Sequence, residues 1–122
     1  MVEQSNRRIA SEFQQMRTHL LNLEERDKQK YRLRAVQTAE NLALMLMGKY
    51  GVKQVYLYGS LAWGGFDHNS DIDLLLVGFS GNYWQALSDA EEIAAPIAVS
   101  LACEEDCLDA LKEKVMQKGV LL

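Results

Sequence analysis

The 122-residue sequence is poor in the features that mark specialised classes of protein: it has one proline, two cysteines, two histidines and no long apolar run. A helix that spans a bilayer needs about 20 consecutive, mainly apolar residues, and no such run is present. The opening MVEQSNRRIASEF lacks the apolar segment of a secretory leader, so a cytoplasmic protein with no membrane contact is expected. Cys103 and Cys107 lie four residues apart, a poor geometry for a disulfide on one helix, and reduced thiols are expected. His19 and His68 are far from them and no second cysteine pair exists, which argues against a zinc site. Internal repeats and low-complexity segments are also missing. What remains is an ordinary globular composition in a chain long enough for one domain with a real core.

The net charge of −4 is unevenly spread. Residues 1–34 hold eight Lys and Arg (Arg7, Arg8, Arg17, Arg26, Lys28, Lys30, Arg32, Arg34) against five acids, and the rest hold five Lys against twelve acids. Most of these charges read as a solvated helix face. The positive charge is confined to the first helices, and no further segment could grip a duplex, which argues against a nucleic-acid partner.

Residues from about 6 to 49 contain no proline and only one glycine, Gly48 near the end, and read as helix. Ile9, Phe13, Met16, Leu20 and Leu23 recur at spacings of four and three, which makes one apolar stripe. The polar run EERDKQK (24–30) interrupts it, and a second stripe follows: Leu33, Val36, Ala39, Ala43, Leu46 and Tyr50. The pattern leaves open one bent helix or two. It also leaves open whether the first stripe packs on the body or on a second subunit, giving a homo-oligomer through the N-terminal helices. The expected division is an amphipathic helical extension, 1–34, and a domain, 35–122.

Gly51 closes the helical region. VKQVYLY (52–58) reads as a strand with Val55 and Leu57 on one face, Tyr56 and Tyr58 on the other. GSLAWGG is a tight turn that opens a short helix, and FDHNS is a loop with Asn69 and Ser70 as turn residues. DIDLLLV (71–77) is the second strand. A helix over 83–94 turns Trp84, Leu87, Ala90 and Ile93 inward. Pro96 begins a third strand, PIAVSLA, where proline is tolerated at a strand start. A last helix over 104–118 turns Leu108, Leu111 and Val115 inward, and Gly119 ends it. The order predicts an α/β (α+β) fold: a small mixed β-sheet with helices packed on it and an N-terminal helical extension.

The strand 71–77 carries Asp71 and Asp73 on one face, although Asp is depleted in strands. Two such carboxylates repel each other and are costly to desolvate. Residues two apart on a strand lie ~6.5–7 Å apart, close enough for both side chains to converge on hard cations. Mg²⁺ accepts few protein carboxylates and completes its shell with phosphate and water, which offsets the repulsion. Gly59-Ser60 follows the first strand directly, where a glycine lets a phosphate approach the backbone. A Gly-Ser turn or an Asp-x-Asp pair alone means little. Joined across ten residues between two apolar strands, they outline a nucleoside triphosphate site.

Gly59-Ser60, ten residues, then Asp71-Ile72-Asp73, flanked by VYLY and LLLV, resembles the signature of the DNA polymerase beta-like nucleotidyltransferase superfamily. The chain is most similar to its minimal members, the MNT proteins of prokaryotes, over roughly residues 35–122. SDIDL (70–74) and the ending EKVMQKGVLL (113–122) fit as well. The resemblance implies nucleotidyl transfer from ATP or another NTP with Mg²⁺. Asp71 and Asp73 would be the catalytic metal ligands; Gly59, Ser60 and Ser70 would bind the nucleotide and its phosphates. It further implies pairing with a HEPN-domain toxin, the nucleotidyltransferase being the antitoxin and in some pairs moving AMP onto a tyrosine of the toxin. The chain has no Arg-x4–6-His motif of the HEPN kind, so that partner would be a separate protein.

Two departures from the family pattern bear on activity. The third acid that many relatives carry on the next strand is Ser100 here, and a serine hydroxyl is no general base at neutral pH. Glu104 and Glu105 lie ~13 Å or more along the strand. Ala62-Trp63-Gly64 also stands where relatives have an arginine, so one cation near the phosphates is lost. Two readings follow: an enzyme slowed by its missing base, or a catalytically weakened protein that neutralises a partner by binding alone. Transfer to a small molecule ranks below both, because such relatives carry an added substrate domain.

Overall fold

A computed structural model describes residues 2–122, with side chains from Ala10 onward. The chain forms two compact units, residues 1–31 and 32–122. The first helix, α1, runs Val2–Tyr50 without a break. The polar run 24–30 does not interrupt it, because Glu, Arg, Lys and Gln are good helix formers.

In the first unit every residue from Ala10 to Lys30 is exposed, including Phe13, Met16, Leu20 and Leu23 of the first stripe. The Ile9 side chain lies outside the described residues.

The second unit holds the C-terminal part of α1, then β1 (Gln54–Tyr58), α2 (Ser60–Trp63), β2 (Ile72–Val77), α3 (Tyr83–Ala94), β3 (Val99–Cys103), α4 (Asp109–Lys118) and β4 (Val120–Leu121). The four strands form one mixed sheet in the order β3-β2-β1-β4. β1 runs antiparallel to β2 and β4, and β2 runs parallel to β3. A parallel pair cannot be joined by a tight turn, and α3 makes the required crossover.

The alternation of side chains along β1 and β2 follows the sequence pattern. Val55 and Leu57 are buried on the face that also takes Ile72, Leu74 and Leu76. Ala35, Ala39, Leu42, Ala43 and Leu46 of α1 are buried too, but Leu33 is exposed, so the buried stripe begins two residues later than its spacing predicts. Gly51 ends α1 with a φ of +67°, a conformation open chiefly to glycine. Asp89 of α3 ties down this end of α1: it accepts hydrogen bonds from Lys49 Nζ at 2.7 Å and from the Tyr50 hydroxyl.

Three expectations are corrected, and the structure adds one strand. On α3 the buried residues are Ala86, Ala90 and Ala94, while Trp84 and Ile93 are exposed. Small side chains let a helix lie close to a sheet, and the helix turns its alanine face inward rather than its largest residues. Asn82 caps it by accepting a hydrogen bond from Gln85 N. Pro96 is not in β3: Ile97 N donates to Ala94 O in a turn that closes α3, and the ladder begins only at Val99. The last helix is broken: a 3-10 turn, Glu104–Asp106, precedes α4, leaving Leu108 exposed at the boundary while Val115 is fully buried. Finally, Val120 and Leu121 pair with β1 as an edge strand, a segment too short to leave a periodic signal.

Candidate active site

Strand register builds the site. Tyr58 of β1 lies opposite Asp73 of β2, and Asp73 lies opposite Ser100 of β3. Residues directly opposite share a face, so Tyr58, Asp73 and Ser100 form one row across the sheet, on the side away from Ile72, Leu74 and Leu76. Asp71 precedes β2 by one residue rather than lying in it, and it is exposed. Asp73 is half-buried.

Gly59 is the hinge between this row and α2. Its φ of +75° and ψ of −157° belong to a region that is essentially restricted to glycine. A Cβ at this position would lie 2.2 Å from Asp73 Oδ2. The backbone of the turn and the Asp73 carboxylate are therefore in direct contact, and only a hydrogen atom fits between them.

The electrostatics follow from this crowding. Burial, and then the neighbouring charge of Asp71, push the Asp73 carboxyl above its usual range. The Tyr58 hydroxyl is raised by burial first and by the charges of Asp73 and Cys107 next; a hydrogen bond from Ser100 opposes the rise. Among the described residues no Lys or Arg forms an ion pair with Asp71 or Asp73. Nor is any group of three or more His, Cys, Asp and Glu side chains placed to hold a metal ion. A pair of adjacent oxygen donors without a protein counter-charge fits a hard divalent cation that takes its other ligands from phosphate and water.

Ser60 opens α2, and its carbonyl accepts from Gly64 N at 2.8 Å. The Ser70 hydroxyl is engaged in the loop before β2, donating to Asp67 Oδ1 at 3.2 Å and accepting from Asp67 N at 3.1 Å. Glu104 is bound to Lys112 at 2.7 Å and so is held by α4. Trp63 packs beside Tyr58, with ring centroids 6.2 Å apart, and its indole N–H donates to the Lys118 carbonyl at 2.9 Å. Neither Tyr58 nor α4 is marked for this site by residue type or spacing, because both are brought there by strand register and by the return of the chain after β3. Cys103 and Cys107 are free thiols, Cys103 raised by burial and by Asp106 and Glu105. No helix among the described residues is long and apolar enough to cross a membrane.

The fold is that of known nucleotidyltransferases. One structure of the toxin–antitoxin pair MntA–HpeT, a mutant, matches 67% of this chain and 70% of its own at 20% identity, with a TM-score of 0.56. A minimal nucleotidyltransferase matches 77% of this chain and 94% of its own at 23% identity and a TM-score of 0.57. A nucleotidyltransferase from Sulfolobus solfataricus matches 75% and 82% at 22% identity and a TM-score of 0.50. No curated protein matches the chain. A family profile described as polymerase beta nucleotidyltransferase matches residues 40–122, which take in the whole sheet, the Gly59 turn and both aspartates. The chain thus belongs to the polymerase beta nucleotidyltransferase family.

Proposed function

We propose that the protein is a Mg²⁺-dependent adenylyltransferase that moves AMP from ATP onto a hydroxyl of a partner protein. It would act in the cytoplasm as the antitoxin of a pair whose toxin is a separate HEPN-domain protein. The observation that carries this reading is the contact between Gly59 and the Asp73 carboxylate, which brings the Gly-Ser turn against one of the two aspartates. Support for the partner comes from the fold neighbours, two of which are MntA–HpeT toxin–antitoxin structures. In one of them two aspartates, two positions apart, are exchanged for glutamate; Asp71 and Asp73 have the same spacing.

Asp71 and Asp73 would hold Mg²⁺, which supplies charge neutralisation at the phosphates during in-line displacement. The backbone N–H groups that follow Gly59 and the Ser60 hydroxyl would offer donors to the phosphates. The acceptor oxygen attacks the α-phosphorus, the bond to the β-phosphate oxygen breaks, and pyrophosphate leaves. The acceptor proton passes to solvent, because Ser100 beside Asp73 has no useful basicity. A missing base typically costs 10²–10⁴-fold, so turnover is slow.

Ser100 also favours a second reading, in which the fold neutralises its partner by binding alone. Incubation of the protein with Mg²⁺, labelled ATP and its co-encoded partner separates the two. Label on the partner, lost in Asp71→Asn and Asp73→Asn, is the expected result; label that persists in both variants overturns the enzyme. A double Asn variant that still suppresses the partner in cells supports neutralisation by contact.

A further inference from the structure

We infer that Lys114 is the side chain that meets the phosphate charge of the bound nucleotide, because α4 holds it over Trp63 at the end of the short helix that starts from Gly59. The inference rests on the nucleotide site proposed above. It begins from an imbalance in the sequence. Residues 54–111 contain no Lys or Arg and ten acids. That stretch includes β1, α2, β2, α3 and β3, and hence Gly59, Ser60, Asp71, Asp73 and Ser100. A triphosphate brought to this surface finds no Lys or Arg on those elements, so a lysine or arginine near the phosphates must come from elsewhere.

Apart from Arg32 and Arg34, at the start of the second unit on α1, the candidates there are five lysines. Lys49 is bound to Asp89 at 2.7 Å. Lys53 precedes β1, whereas Gly59 follows it, so the two stand at opposite ends of the strand; its stem also packs where a Cβ on Gly78 would lie. The rest are on α4. Lys112 is committed to Glu104 at 2.7 Å. Neither Lys114 nor Lys118 has a carboxylate partner among the described residues, but it is Lys114 whose Nζ lies over the Trp63 ring, 4.5 Å from its centroid.

The Trp63 ring is well placed to serve as that perch. It lies three residues beyond Ser60 on the same short helix and 6.2 Å from Tyr58, the residue before Gly59. Its indole N–H fastens it to the Lys118 carbonyl, which fixes the last turn of α4 against α2. A cation over an exposed ring is held weakly and directionally. An ammonium group with three rotatable donors can therefore turn from the ring to a phosphate oxygen without first breaking an ion pair. The sequence signal is the charge gap itself, which leaves α4 as the only element after β1 able to supply a cation.

The test is a calorimetric titration of the full chain with Mg²⁺ and an ATP analogue that has a methylene group between its α- and β-phosphates, so no transfer occurs. Lys114→Ala should weaken binding about tenfold and flatten its salt dependence, as expected for losing one partly screened charge contact. Lys114→Arg should retain affinity within about threefold, Lys112→Ala should change it less than about twofold, and adenosine should bind Lys114→Ala as it binds wild type. Thermal melts of the variants check that each is folded. Unchanged affinity of Lys114→Ala, in a chain whose binding is lost in Asp73→Asn, overturns the inference alone. So does an equal loss in Lys112→Ala, or a matching loss for adenosine. A wild-type chain that does not bind the analogue overturns the proposed function and the inference with it.

Discussion

Replacing Gly59 with alanine puts the contact at the centre of the site to the test. Two costs add. The first is backbone strain: φ +75°, ψ −157° is a conformation that non-glycine residues occupy at an expense of about 1–3 kcal/mol. The second is steric. The new methyl would sit 2.2 Å from Asp73 Oδ2 and 3.1 Å from its Cγ, far inside van der Waals contact, so the carboxylate must swing away or the strands must part. Overpacking of this kind costs about 1–3 kcal/mol. Together they predict a loss of roughly 2–6 kcal/mol, a large share of the ~5–15 kcal/mol that holds a small domain together. Urea unfolding followed by circular dichroism measures it. The two parts separate in an Asp73→Ala background, where the carboxylate is gone, only the Cβ contact at 3.3 Å is left and backbone strain dominates; the coupling between the two changes should be about 1–3 kcal/mol. A Gly59→Ala protein within about 0.5 kcal/mol of wild type would refute both the strain and the contact. A cost identical in the two backgrounds would refute the contact alone.

Asp73→Asn should make the metal-free protein more stable at neutral pH, because burial and Asp71 disfavour the Asp73 charge. The folded wild type holds this proton to a higher pH than the unfolded chain does, so its stability rises as pH falls through the raised folded value and levels off below the unfolded one; the advantage of Asn should shrink over the same interval. Thermal melts in a chelator between pH 4 and pH 8 follow this, and a gap independent of pH would contradict it. Ser100→Asp restores a carboxylate opposite Asp73 and should raise Mg²⁺-dependent labelling of the partner by about 10²-fold or more while lowering stability without metal. Labelling unchanged by that substitution would mean that proton removal does not limit the reaction.

How far this fold can be read from its sequence depends on where local pattern and long-range contact agree. Val55, Leu57, Ile72, Leu74 and Leu76 alternate with period two and are buried as that pattern requires. The sheet has little freedom there, because a slip of one residue would turn the whole apolar set to the other face. On α3 the same logic misleads. Trp84, Leu87, Ala90 and Ile93 are the larger stripe, but the helix buries Ala86, Ala90 and Ala94, since close approach to the sheet selects small residues over large ones. Leu108 looks like the start of a helical stripe and is instead the exposed residue before α4, because the 3-10 turn at Glu104–Asp106 shifts the helix start. The two-residue strand Val120–Leu121 has no period to detect; it exists because Gly119 N closes α4 on Val115 O and Leu122 N reaches Val55 O.

The site shows a similar division. Gly59, Ser60, Asp71 and Asp73 stand out by residue type and spacing, without knowledge of neighbours. Tyr58 does not, because an aromatic residue at the end of a strand reads as packing; only the pairing Tyr58–Asp73–Ser100 places it in the polar row. The Asp67–Ser70 turn is also invisible as a unit, although Asp, Asn and Ser in a loop suggest a turn of some kind. Its hydrogen bonds hold Ser70 to Asp67 in the loop that leads into the Asp71 backbone.

The features of the site differ in energetic direction. Gly59 occupies a backbone conformation closed to other residues, burial and Asp71 disfavour the charged form of Asp73, and the strands that build the site bring no cation with them. The last two work against the stability of the empty domain, and the carboxylate repulsion is relieved by what the site is proposed to hold, a divalent cation between carboxylates. Ligand that binds only the folded state stabilises it by RT ln(1 + [L]/Kd), about 2.7 kcal/mol at a hundredfold excess over Kd. The restriction of position 59 to glycine remains in the liganded state, because it is conformational. The carboxylate repulsion does not, because it is electrostatic. Mg²⁺ with nucleotide should therefore narrow the stability difference between wild type and Asp73→Asn, or reverse it, while leaving the backbone part of the Gly59→Ala penalty in place. This contrast distinguishes a glycine required by geometry from an aspartate retained at a cost in stability for what it binds.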